Sequence, residues 1–173
     1  MRFITLVNAA VWLGASLFFT FGVAPAVFSN EMRSLLQHPF YPGAIAQILF
    51  KRFFYLQYFC AGVAIVLYLW ESLYRGRKFE RLMFGLLMGL LAVALIGGMW
   101  LQPKLKTLHQ TQYNAQASEA DKADAKKLFG PLHGASQVVN LFVMAGLFYY
   151  FWKVTSGPRS SGNGTSRSPL VWD

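Results

Sequence analysis

Residues 82–103 read LMFGLLMGLLAVALIGGMWLQP, without one ionisable side chain. A helix needs about 20 mostly apolar residues to cross the hydrocarbon core of a bilayer, and charges inside that core are costly. The stretch therefore predicts a membrane-crossing helix. Three charge-free stretches accompany it, Phe3 to Asn30, Phe53 to Trp70 and Leu128 to Trp152. Together they predict an all-α fold, a four-transmembrane-helix bundle with short interfacial helices in loops one and three.

Composition points the same way. The 173 residues are 55% hydrophobic and 17% aromatic. Only 13% are charged, roughly half the share usual in a soluble domain. One membrane domain over 1–154 is expected, followed by a flexible basic tail over 155–173 that is rich in Ser and Gly and ends in Leu170-Val171-Trp172. Ala24-Pro25-Ala26 has the small-residue form of a secretory cleavage site, but the apolar run from Phe3 is longer than the ~7–15-residue core of a signal peptide, so a retained helix is the expectation. Cys60 is the single cysteine. It excludes an internal disulfide, and its apolar surroundings argue against thiolate chemistry. A net charge of +9 suits nucleic acid, yet basic residues beside apolar helices are explained more simply by lipid headgroups and topology, and no nucleic-acid partner is expected.

Along the chain, Pro25 is expected to kink or end the first helix. Met32, Leu35 and Leu36 in loop one have helical spacing. The apolar pattern from Gly43 runs past Lys51 and Arg52 to about Leu73, too long for one simple span, so this helix is expected to overshoot the membrane on the loop-one side. Loop two is short and basic, with Arg75, Arg77, Lys78 and Arg81. Loop three, Lys104 to about Pro131, is expected to lie outside the membrane. Ser118-Glu119-Ala120-Asp121 opens a short helix there, which Gly130-Pro131 should stop. Four spans place both termini on one side. Basic residues near the helix ends divide evenly between the two sides, but their density in loop two favours cytoplasmic termini.

Chemistry is sought among polar groups inside the spans. His133, Ser136, Gln137 and Asn140 recur at spacings of three and four, which sets them on one helical face. Such a stripe either lines a polar pathway or joins helices by hydrogen bonds, and the second is the commoner use. Gly85 and Gly89 on the third helix, with Ala10 and Gly14 on the first, form small-residue faces suited to close helix packing, within the chain or between subunits. His38, His109 and His133 all belong to the loop-one and loop-three side. They are weak metal or haem candidates, since no two share a ligand spacing and no cysteine joins them. No metal or cofactor is expected. Nothing matches a phosphate loop, nucleophile elbow or paired-carboxylate site, and no acid lies in a charge-free stretch, which argues against a carboxylate-driven proton pump. Phe148 to Trp152 and Phe50 to Tyr55 read as interfacial aromatic belts.

Several local patterns occur together: Gly22-Val23-Ala24-Pro25-Ala26-Val27-Phe28, then Ala46-Gln47-Ile48-Leu49-Phe50-Lys51-Arg52-Phe53-Phe54, then Leu132-His133-Gly134-Ala135-Ser136 followed by Asn140. In that order on four spans the chain, over about Phe3 to Trp152, resembles the poorly characterised membrane family related to transmembrane protein 205. The resemblance implies a four-helix membrane domain and marks Pro25, Phe50, His133 and Asn140 as a group. It implies no reaction. The functional expectation is a non-catalytic integral membrane protein, an accessory subunit that meets the bilayer and other membrane subunits or its own copies. The alternative is a small transporter or a metal- or haem-binding protein using the polar face of the fourth helix.

Overall fold

Long apolar runs fold as helices in a bilayer because every backbone donor and acceptor must be satisfied within the segment. The computed structural model describes residues 2–74 and 79–156, and among them every regular element is helical. Helix α1 is Arg2–Val27, α2 is Asn30–Leu36, α3 is Phe40–Tyr74, α4 is Arg81–Tyr113 and α5 is Glu119–Ser156. All but α2 are long and apolar enough to cross a membrane. Arg75, Arg77, Lys78 and the tail from residue 157, with its Leu170-Val171-Trp172 tip, lie outside the described residues.

The four long helices pack in a ring, α1 against α3 and α5, and α4 against the same two. Their core is formed by Ala9, Trp12, Leu13, Cys60, Ala61, Ala64, Leu87, Leu90, Leu147 and Tyr150. Alanines at 9, 61 and 64 bring backbones close, and Trp12 fills the space between, 1% exposed, edge-on to Tyr150. A polar knot lies in this core. Trp12 Nε1 donates to Gln57 Oε1, Gln57 Nε2 donates to Ser16 Oγ at 3.3 Å, and Ser16 Oγ donates to the Trp12 carbonyl at 2.8 Å. Asn8 Nδ2 donates to the Cys60 carbonyl at 3.0 Å. Each donor so paired avoids the cost of an unsatisfied group in hydrocarbon.

The loop-one helix is present. Ser29 caps α2 by accepting from the Met32 amide at 3.2 Å, Glu31 lies in its first turn, and Gln37 closes it in the left-handed region at φ 54°. Loop three differs from expectation. Instead of a long connection holding a separate short helix, α4 continues through Pro103 to Tyr113, only residues 114–118 connect, and α5 runs unbroken from Glu119 through Pro131 into the fourth span. Ser118 does cap the new helix, its Oγ accepting from the Asp121 amide at 3.1 Å. Gly130-Pro131 fails to stop it because one missing hydrogen bond is tolerable where the face is outward: both residues are exposed, and the Lys127 carbonyl that lacks its donor lies near exposed Lys127 and Leu128. Packing of α4 against α5 holds the remainder in line.

Prolines 25 and 103 are accommodated by one device. A π-helical turn, Phe19–Val23 in α1 and Gly97–Leu101 in α4, precedes each proline by one residue, and the Ala24 and Gln102 amides reach five residues back to the Phe19 and Gly97 carbonyls. The widened turn relieves the clash between a proline ring and the carbonyl four residues earlier. So α1 continues past Pro25 as far as Val27 rather than breaking there. The first turns of α3, the end of α4 and the start of α5 thus extend beyond the apolar spans on one side, and with α2 they pack into a helical head.

Candidate functional site

A cavity of about 720 Å³ opens between this head and the spans. That size suits a small organic ligand. Its apolar wall comes from Phe28 just past the end of α1, Phe50 and Phe54 of α3, and Leu101 and Leu105 of α4. The polar wall holds all three histidines with Gln47, Gln102 and Gln112, and among the described residues Arg33 is its only Lys or Arg.

The histidines share the cavity without meeting. His38 faces Tyr113 (centroids 6.3 Å), Tyr113 contacts His109 (5.0 Å), His109 faces Phe129 (6.3 Å), and Phe129 stacks on His133 (5.6 Å, 13° between planes). Tyr113 thus contacts both His38 and His109, and Phe129 both His109 and His133. Among the described residues no three His, Cys, Asp or Glu side chains come together in a metal-holding group.

His109 is the most constrained of the three. It is 7% exposed, stacked on Phe40 at 5.2 Å, and seated against Gly43, where a Cβ would lie 2.7 Å from the ring carbons Cδ2 and Cε1. Glycine is required at that contact because any larger residue occupies the ring's place. Among the described residues no hydrogen bond reaches the His109 ring, which opens onto the cavity, whereas the fully buried side-chain polar atom without a partner is the Tyr150 hydroxyl. Beside it, Gln102 Nε2 donates to Gln47 Oε1 at 3.3 Å and to the Gln47 carbonyl at 3.4 Å, tying α4 to α3.

The polar stripe on α5 divides between environments. His133 and Ser136 line the cavity, and Ser136 Oγ donates to the His133 carbonyl at 2.6 Å. Gln137 is exposed and places Nε2 3.2 Å from His133 Nε2. Asn140 turns to α1, its Nδ2 donating to Thr20 Oγ1 at 2.9 Å. Of the small-residue faces, Gly14, Gly85 and Gly89 are exposed with open space where a Cβ would stand, and Ala10 is exposed too. Among the described residues nothing comes within 4 Å of a Cβ placed at any of these three glycines. Close approach occurs elsewhere, at Gly43 against His109, at Gly97 and Gly98 against Phe54, and at Gly146 against Leu86 and Leu90. Sequence reasoning passed over Gln47, Gln57 and Gln102; the available signal was an uncharged amide inside or at the end of an apolar run, where it must find a partner.

Residues 7–114, more than half of the chain, match a family described as a domain of unknown function, DUF4149. The chain belongs to the DUF4149 family. The matched segment takes in α1 from Val7, all of α2 and α3, and α4 to its end, so the DUF4149 region supplies His38, His109, Gly43, Gln47 and Gln102. The α5 wall with His133 lies beyond it. The match carries no link to transmembrane protein 205. No curated protein and no solved structure matches the chain.

Proposed function

We propose that this DUF4149 protein is a non-catalytic integral membrane protein that binds a small amphipathic molecule in the cavity between head and spans. The observation that carries the reading is His109, a buried imidazole held by Phe40, Tyr113 and Gly43, bordering the cavity with no hydrogen-bond partner among the described residues. A hydrogen-bonding group on the ligand satisfies that ring, and the Phe28, Phe50 and Phe54 wall takes its apolar part. Binding here serves carriage of the ligand or its presentation to another membrane protein. Both termini lie on the cytoplasmic side in this reading, and kinship with transmembrane protein 205 rests on the three ordered motifs ending at Asn140.

Organic extraction and mass spectrometry of the chain purified in mild detergent test the proposal, with His109→Phe as the comparison. The wild type retains a small amphiphile that the variant, equally folded by circular dichroism, loses. Equal retention by both, or none by either, overturns the reading. An accessory-subunit role is the second reading, favoured by the outward Gly85, Gly89, Ala10 and Gly14 faces, which leave close helix contacts for another chain. A gentle detergent pull-down in which Gly85→Ile/Gly89→Ile loses a partner supports it, and unchanged association refutes it.

A further inference from the structure

On the outer flank of the same wall a second cavity, of about 490 Å³, lies between α3 and α4. Gln47, Gln102 and His109 border both cavities. Residues 44, 48, 51, 52 and 55 of α3 and 102, 106, 109 and 110 of α4 face each other across it, each set at the three-to-four spacing of one helical face. The cations Lys51, Arg52 and Lys106 line it with no acidic residue among the lining. None of the three is paired with a carboxylate among the described residues, unlike Lys122, which meets Glu119 at 2.8 Å, and Lys153, which meets Glu80 at 3.5 Å.

Position gives the recess its meaning. Lys51 and Arg52 immediately precede the charge-free stretch of α3, and Lys106 follows Pro103 at the end of that of α4, so the three cations sit at headgroup level. Below them the outer face of α3 continues as Tyr55, Phe59 and Val66, 51%, 68% and 63% exposed, an apolar track running into the bilayer. Unpaired cations, amide donors and an apolar track beneath match the phosphate, the polar glycerol region and the acyl chain of one molecule.

The geometry points to a binding site for an anionic phospholipid, its phosphate held by Lys51, Arg52 and Lys106 and its acyl chain laid along Tyr55, Phe59 and Val66. This goes beyond the inner-cavity reading and does not depend on what that cavity holds.

The full chain in mild detergent is incubated with an equimolar mixture of phosphatidylglycerol and phosphatidylcholine of identical acyl chains, and native mass spectrometry reads the retained lipid. Phosphatidylglycerol is retained in preference by about tenfold, and Lys51→Gln/Arg52→Gln/Lys106→Gln brings the two lipids to near equality. The control Lys104→Gln/Lys126→Gln/Lys127→Gln removes the same charge from residues outside both cavities and keeps the preference. If both triple variants lose it equally, the attraction is diffuse and the site is refuted. Equal retention of the two lipids by the wild type refutes it as well. Inorganic phosphate separates the headgroup source: displacement of the lipid by millimolar phosphate makes the occupant a soluble phosphate and overturns the lipid assignment, whereas undisturbed retention supports it. Since none of these variants touches His109, loss of lipid preference with the inner ligand still retained is distinguishable from failure of the proposed function.

Discussion

Replacing Gly43 with alanine places a methyl group where the His109 ring now lies. The new Cβ would stand 2.7 Å from Cδ2 and from Cε1. Ordinary contacts are about 3.5–4.0 Å, and Nε2 lies closer to the new Cβ than either carbon, so the ring must retreat by more than about 1 Å. It has little room, since Phe40 is stacked on it at 5.2 Å and Tyr113 lies at 5.0 Å. Overpacking of this kind costs roughly 1–3 kcal/mol. Alanine's better helix propensity offsets part of that, less than its full value of about 1 kcal/mol because Gly43 lies in the first turn of α3. The expected net loss is therefore roughly 1–2 kcal/mol. His109→Ala removes the obstacle. In that background Gly43→Ala is expected to be neutral or slightly stabilising, giving an interaction of about 1–3 kcal/mol between the two sites. Unfolding of the four proteins by sodium dodecyl sulfate in mixed micelles, followed by far-ultraviolet circular dichroism, measures the cycle. If Gly43→Ala costs the same with and without the His109 ring, the contact does not set the position of the imidazole, and the argument for a held, unpartnered ring fails with it.

Other outcomes follow from the packing. Gly98→Ala drives a methyl into the Tyr58 hydroxyl and Phe54, and is expected to destabilise by about 1–3 kcal/mol. Gly85→Ala meets open space and should be neutral or gain up to about 1 kcal/mol in the same micelle titration. A Thr20→Val and Asn140→Val double-mutant cycle is expected to return roughly 0.6 kcal/mol, the usual worth of an interhelical hydrogen bond in a membrane, and a value near zero would remove that link between α1 and α5. Pro131→Ala supplies the donor that the Lys127 carbonyl lacks. It should stabilise α5 and slow amide exchange around residue 131, whereas unchanged exchange would mean that the helix is interrupted there.

The four long apolar helices were legible because hydrocarbon sets a length: about 20 residues without charge admit few other readings. The length of α3 was legible for a related reason, since its apolar pattern persists across Lys51 and Arg52. That of α4 was hidden. Past Pro103 its pattern turns polar, and only Leu105, Leu108 and His109 turn inward, against the head, so propensity read a loop where tertiary packing makes helix. Gly130-Pro131 misled in the same direction, because a breaker signal does not say whether neighbouring helices hold the chain straight. The α5 stripe was placed on a helix as expected, but His133 and Asn140 stand about two turns, roughly 10 Å, apart along its axis, so the stripe divides among cavity, surface and α1. That Tyr113 and Phe129 would each contact two imidazoles could not be anticipated from a count of histidines.

Cys60 lends its carbonyl to Asn8, and the residue, 1% exposed, belongs to the same buried cluster as Trp12, Ala61 and Leu147. As the sole thiol it is a ready-made clock for breathing of the bundle. A maleimide small enough to enter the micelle reacts only in those moments when α1, α3 and α5 part, so the labelling rate of the unmodified chain reads the frequency of that opening without any introduced probe. The same protection leaves an added surface cysteine as the fast-reacting position, and the chain can carry a distance or orientation label with its native cysteine in place.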